Sequence, residues 1–112
     1  MPHIIVEHNT EASSELDLKS ISSALHIGLA EFPTIELSAI KTRTHEVKNV
    51  IIGEEQTPNK FIHITLLLLE GRPSELKEEI IKALFTIASR QVNNQDYTIT
   101  IETRDLGTYF KL

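Results

Sequence analysis

Apolar residues recur along this chain with two different periods. Residues 2–7 carry Ile4, Ile5 and Val6, a β-branched run that predicts a first strand. Residues 9–14 are polar and read as a loop. Asp17 stands where a helix cap is expected, because its carboxylate can accept from the free N–H groups of the next turn. Behind it Leu18, Ile21, Leu25 and Leu29 return every three or four positions, which predicts a one-sided helix. Phe32-Pro33 ends it, since the residue before a proline is pushed out of the helical region.

From Ala39 the period drops to two. Ile40, Thr42 and Thr44 alternate with Lys41, Arg43 and His45, so one face of a second strand collects cations. Residues 53–60, with Pro58-Asn59 among them, give the clearest turn signal. Residues 61–69 are the most apolar stretch. Ile62, Ile64, Leu66 and Leu68 share one face, and Phe61, His63, Thr65, Leu67 and Leu69 the other. This predicts a central strand covered on both sides. Gly71-Arg72-Pro73-Ser74 breaks it and opens a second helix, with the proline in a first turn that needs no N–H there. Leu76, Ile80, Leu84, Ile87 and Ala88 form its apolar stripe, and Glu78 with Lys82 offers an i,i+4 pair on the wet side. Asn93-Asn94 ends it. Tyr97, Ile99 and Ile101 then alternate with Thr98, Thr100 and Glu102 as a half-buried strand. The tail closes with Tyr109, Phe110 and Leu112, too apolar for a solvated terminus.

The order is β-α-β, turn, β-α-β, tail. It predicts a two-layer α+β sandwich: tandem β-α-β units forming one four-stranded mixed sheet with both helices on one face, because each crossover is right-handed. One domain, residues 1–112, then divides into a unit of 1–57, a unit of 58–104 and a tail of 105–112. The other sheet face stays bare although residues 61–69 are expected to be apolar on both sides. The simplest cover is another copy of the chain.

Composition narrows the chemistry. At 112 residues the chain suffices for one core. Sixteen acidic against eleven basic residues leave a net charge of −5 with no basic run, which argues against nucleic-acid and anionic-membrane partners. Zero cysteines exclude disulfides, thiolate metal sites and a cysteine nucleophile. Met1-Pro2-His3 leads straight into an apolar run without a basic leader, and no stretch approaches the ~20 apolar residues of a membrane span. The expected setting is the cytoplasm.

Pro2 is the most informative residue. Removal of Met1 would leave a secondary amine at the head of a strand; with Met1 in place its nitrogen is an amide, neither basic nor nucleophilic. Burial or nearby cations would lower such an amine toward neutrality, where a base suits proton movement between carbon and oxygen. A chance Met-Pro start is the bland alternative. The cationic strand face of Lys41, Arg43 and His45 could bind an anion and hold enolate charge, or could simply be solvated or paired with Glu7. Arg72, after a glycine and just before a helix, is either a carboxylate clamp or a surface arginine. The five histidines show no metal-ligand spacing, and His63 reads as a hydrogen-bonded core residue. Neither metal nor cofactor is implied.

These features occur in a familiar order. Pro2-His3 enters a strand, Ile40-Lys41-Thr42-Arg43 lies on the next, and Phe61-Ile62-His63-Ile64-Thr65-Leu66 is followed by Gly71-Arg72-Pro73-Ser74 before a helix. From residue 2 to about 87 the chain resembles the 5-carboxymethyl-2-hydroxymuconate isomerase family of the tautomerase superfamily. The resemblance implies a tautomerase-like fold, a homotrimer, and an isomerase without cofactor that moves a proton and a double bond in a small anionic 2-hydroxydienoate. Pro2 falls at the family's base and Arg72 at its carboxylate-binding arginine. The family's second-strand arginine falls at Lys41, which keeps the charge but loses the planar fork, with Arg43 two residues on and facing the same side. A tautomerase of another keto–enol acid, phenylpyruvate- or oxalocrotonate-like, and an inactive trimeric binding or structural protein are the competing readings.

Overall fold

Two parallel β-α-β crossovers are joined by antiparallel pairing of their first strands. The computed structural model describes residues 1–10, 16–54, 60–92 and 97–112. Strand β1 is His3–His8, helix α1 Leu18–Ala30, strand β2 Lys41–Glu46, strand β3 Lys60–Leu68, helix α2 Ser74–Val92 and strand β4 Tyr97–Asp105. A 3-10 turn at Leu37–Ala39, which the periodicity did not signal, leads into β2. The sheet order is β2-β1-β3-β4, with β1·β2 and β3·β4 parallel and β1·β3 antiparallel. The mixed sheet with both helices on one face is therefore as expected. The turn at Pro58-Asn59, the helix end at Asn93-Asn94 and the loop positions 11–15 lie outside the described residues.

Local chemistry accounts for the helix ends. The Asp17 carboxylate accepts from the Ser20 N–H at 3.1 Å, the capping geometry expected of it. Helix α1 stops at Ala30, two residues ahead of Phe32-Pro33. Pro73 stands one residue before α2 rather than inside its first turn, and its carbonyl accepts the Lys77 N–H at 3.1 Å. Gly71 has φ 114°, a conformation that strains any L side chain, and a Cβ there would meet nothing within 4 Å. Backbone twist, not space, is what the glycine supplies: it turns the chain out of β3 and delivers Arg72 to the start of α2. The Glu78–Lys82 pair forms at 3.2 Å on the exposed side.

The core lies between sheet and helices. Ile4, Val6, Ile62, Ile64, Leu66 and Leu68 from the sheet meet Ile21, Leu25, Leu29, Ile80, Leu84 and Ala88 from the helices, all essentially without solvent exposure. No helix among the described residues is long and apolar enough to cross a membrane.

The opposite sheet face corrects the expectation of a second apolar surface. Ile5 and Leu67 sit there among Glu7, Arg43, His45, Thr65 and Arg104, which together line a hollow of about 370 Å³. His63 is on this face too, half-buried rather than in the core. Its Nε2 is 2.7 Å from Glu102 Oε2 and its Nδ1 2.6 Å from Thr100 Oγ1. The hydrogen bond from His63 holds the Glu102 carboxyl below the usual carboxylate range. Leu69 falls beyond β3 and is exposed. The face is a polar, hydrogen-bonded surface with few apolar positions.

Candidate active site

Pro2 is buried, and its carbonyl accepts the backbone N–H of Lys41 at 3.0 Å, one step ahead of the β1·β2 ladder. The register continues His3↔Lys41, Ile5↔Arg43 and Glu7↔His45, so the cationic side of β2 lies beside the first residues of the chain. Parallel pairing in this register, not any local property of Pro2, makes the two neighbours.

The α-amino group of Met1, one residue ahead of Pro2, is held below its ordinary range. Burial is the largest cause, followed by the charges of Arg72, Lys41 and Lys111. Three cations distant in sequence thus converge on the N-terminus: one from β2, one from the turn before α2, and one from the tail. Among the described residues none of Lys41, Arg43 and Arg72 pairs with a carboxylate, although the chain is net negative. The Nε of Arg72 is buried and makes no hydrogen bond. A buried guanidinium N–H without a partner is costly, and an anionic ligand is the kind of group that would satisfy it.

Arg43 is placed differently. Its Nη1 is 3.1 Å from His3 Nδ1, and His3 Nε2 is 3.0 Å from Tyr109 Oη, with the two rings edge to face at 5.7 Å. Burial keeps the His3 imidazole below its usual range, aided by Arg43, Lys41 and the N-terminal amine. Of the sequence candidates, Arg72 and Lys41 act on the Met1 amine next to Pro2, whereas Arg43 reaches that neighbourhood through His3. Sequence reasoning did not single out His3, Tyr109 or Lys111. The only signal for the last two was the apolar character of the tail, which returns to β1 after the Leu106 N–H bonds the Leu68 carbonyl at 2.7 Å. No group of three or more potential metal-ligating side chains occurs among the described residues.

An amine of reduced basicity, beside cations with no carboxylate partner, can take a proton from an acidic hydroxyl and hold the anion that results. A family model for 5-carboxymethyl-2-hydroxymuconate isomerase matches residues 2–105. A 5-carboxymethyl-2-hydroxymuconate Delta-isomerase of Escherichia coli is 26% identical over 112 residues, spanning 100% of this chain and 85% of that protein. Among solved structures, a 5-carboxymethyl-2-hydroxymuconate isomerase from Deinococcus radiodurans R1 superposes with a TM-score of 0.86 at 23% identity, over 98% of this chain and 88% of that one. A fused 4-OT, described as a wild-type symmetric trimer, superposes with a TM-score of 0.73 at 20% identity, over 93% of this chain and 86% of its own. At such identities the two structures attest to the fold.

Proposed function

The chain belongs to the 5-carboxymethyl-2-hydroxymuconate isomerase family, and from that premise we propose that this isomerase acts on a small carboxylated 2-hydroxydienoate, with Pro2 as its base. The working enzyme begins at Pro2, its initiator methionine removed. The neutral prolyl amine takes the proton from the 2-hydroxyl, the O–H electron pair closes a carbonyl, and the conjugated double bonds shift. The same nitrogen then returns the proton to a distant carbon, so the atoms balance without an external oxidant or reductant. Arg72 grips a carboxylate beside the amine, Lys41 adds charge from β2, and both damp the dienolate. Arg43 contributes one strand position further on, through His3.

The observation that carries this reading is the convergence of Arg72, Lys41 and Lys111 on the Met1 amine, whose place at the chain terminus the Pro2 amine takes once Met1 is removed. In an acidic protein such a cluster favours an anionic ligand and a base titrating near neutrality. Support for a homotrimer comes from the helix-free sheet face and from the symmetric-trimer form of the fused 4-OT that shares the fold. The test is direct. Protein shown by intact mass to begin at Pro2 is mixed with a carboxylated 2-hydroxydienoate in D2O, and isomerisation with deuterium appearing at carbon is the expected result. No turnover by that processed protein would refute the proposal.

A further inference from the structure

Arginine carries only donors, so the His3 nitrogen 3.1 Å from Arg43 Nη1 must present a lone pair. Nδ1 of His3 is therefore the unprotonated nitrogen, and a neutral ring carries its hydrogen on Nε2. Burial and the surrounding charges of Arg43, Lys41 and the terminal amine all disfavour the imidazolium. Nε2–H then donates to Tyr109 Oη at 3.0 Å. Tyr109 is an acceptor toward His3 and keeps its own O–H for another oxygen. Accepting one hydrogen bond also strengthens the bond it donates. The phenol is half-buried and forms one wall of a hollow of about 510 Å³ lined also by Leu69, Glu70, Leu106, Gly107 and Thr108, so it stands at an open edge. His3 directly follows the proposed base, and the tail that carries Tyr109 also brings Lys111 to the amine.

We propose that Tyr109 is a catalytic hydrogen-bond donor to the substrate's enolate oxygen, and that His3 and Arg43 are positioning residues that aim its proton. This rests on the isomerase reading given above. Without Arg43, the neutral imidazole can adopt its other tautomer, whose Nε2 lone pair draws the phenolic proton away from the substrate.

Two readouts test it on processed enzyme beginning at Pro2. Long-range proton–nitrogen NMR should show His3 protonated on Nε2 in the wild type, with the Nδ1–H form appearing in Arg43→Met. Tyr109→Phe should lower kcat roughly ten- to a hundredfold with KM changed by less than about twofold. Arg43→Met should lower kcat likewise, and Arg43→Lys, whose ammonium also only donates, should recover most of it. A wild-type His3 protonated on Nδ1 overturns the proposal. So does a Tyr109→Phe enzyme as fast as an active wild type, and that outcome leaves the Pro2 reading intact. A processed wild type that isomerises no carboxylated dienol overturns both.

Discussion

Pro2 and Lys41 are tied through their main chains: the Pro2 carbonyl accepts the Lys41 N–H at 3.0 Å. The residue proposed as base and the nearest strand cation therefore hold their places whatever side chain stands at position 41. Arg72, in contrast, reaches the site by its side chain alone. Substitutions at the two positions should consequently report on charge and grip rather than on displacement of the proline.

Arg72→Ala should harm activity more than Lys41→Ala. Arg72 has a buried guanidinium nitrogen without a partner, whereas Lys41 is exposed and Arg43 lies two residues on along the same face. Loss of a charge-assisted contact costs about 1.5–3 kcal/mol, or roughly ten- to a hundredfold in kcat/KM. Kinetics on a carboxylated dienol would check this, and wild-type activity in Arg72→Ala would remove that residue from the site.

The pH dependence of kcat/KM should show a base titrating below an exposed prolyl amine. Burial and the cations at Arg72, Lys41 and Lys111 hold the Met1 amine below its ordinary range. The Pro2 amine left by removal of Met1 stands beside the same charges, so activity should rise with pH through a lowered pKa. Removing either Arg72 or Lys41 relieves repulsion and should move that limb to higher pH. An extra residue ahead of Pro2 converts the amine to an amide and should abolish turnover. An equally fast Met1-retaining enzyme would show that Pro2 is not the base.

Sedimentation velocity should find a trimer at micromolar concentration, with the helix-free sheet faces turned inward. The polar character of that face, including the Arg104–Glu102 pair at 3.0 Å, implies an interface held by hydrogen bonds and ion pairs as well as by Ile5 and Leu67. A stable monomer would count against it.

Acid should weaken the fold through His8. Burial holds this imidazole below its ordinary range, with Glu46 pulling the other way. The folded state therefore prefers the neutral ring, while the unfolded chain binds the proton at about pH 6.5. The stabilisation is whole above that value and is lost as pH falls toward and through the folded pKa. His8 Nδ1 accepts from the Thr10 N–H at 3.2 Å, and His8→Asn keeps an acceptor there without a titrating ring. Urea midpoints at pH 7.5 and 5.5 should fall further apart in the wild type than in this variant. Equal differences would rule out His8 as the source.

Element type, the start of α1 and the sheet's crossover pattern were legible in the chain because each depends on near neighbours. Leu18, Ile21, Leu25 and Leu29 mark a helix face by spacing alone, Asp17 caps the turn that follows it, and alternation in β2 puts Lys41 and Arg43 on one side. Motif order carried the family, and with it Pro2 and Arg72 as candidates. Only the tertiary structure decided what those residues meet. Arg72, Lys41 and Lys111 reach one amine because strand register and two crossovers bring residues 1, 41, 72 and 111 together. The same folding gives Arg43 to His3 and joins His3 to a tyrosine 106 residues away. The apolar look of residues 61–69 also failed to foretell the helix-free face. Alternation tells which side of its own strand a residue takes, but the character of a sheet face is set by the neighbouring strands, and here those bring Glu7, Glu102 and Arg104.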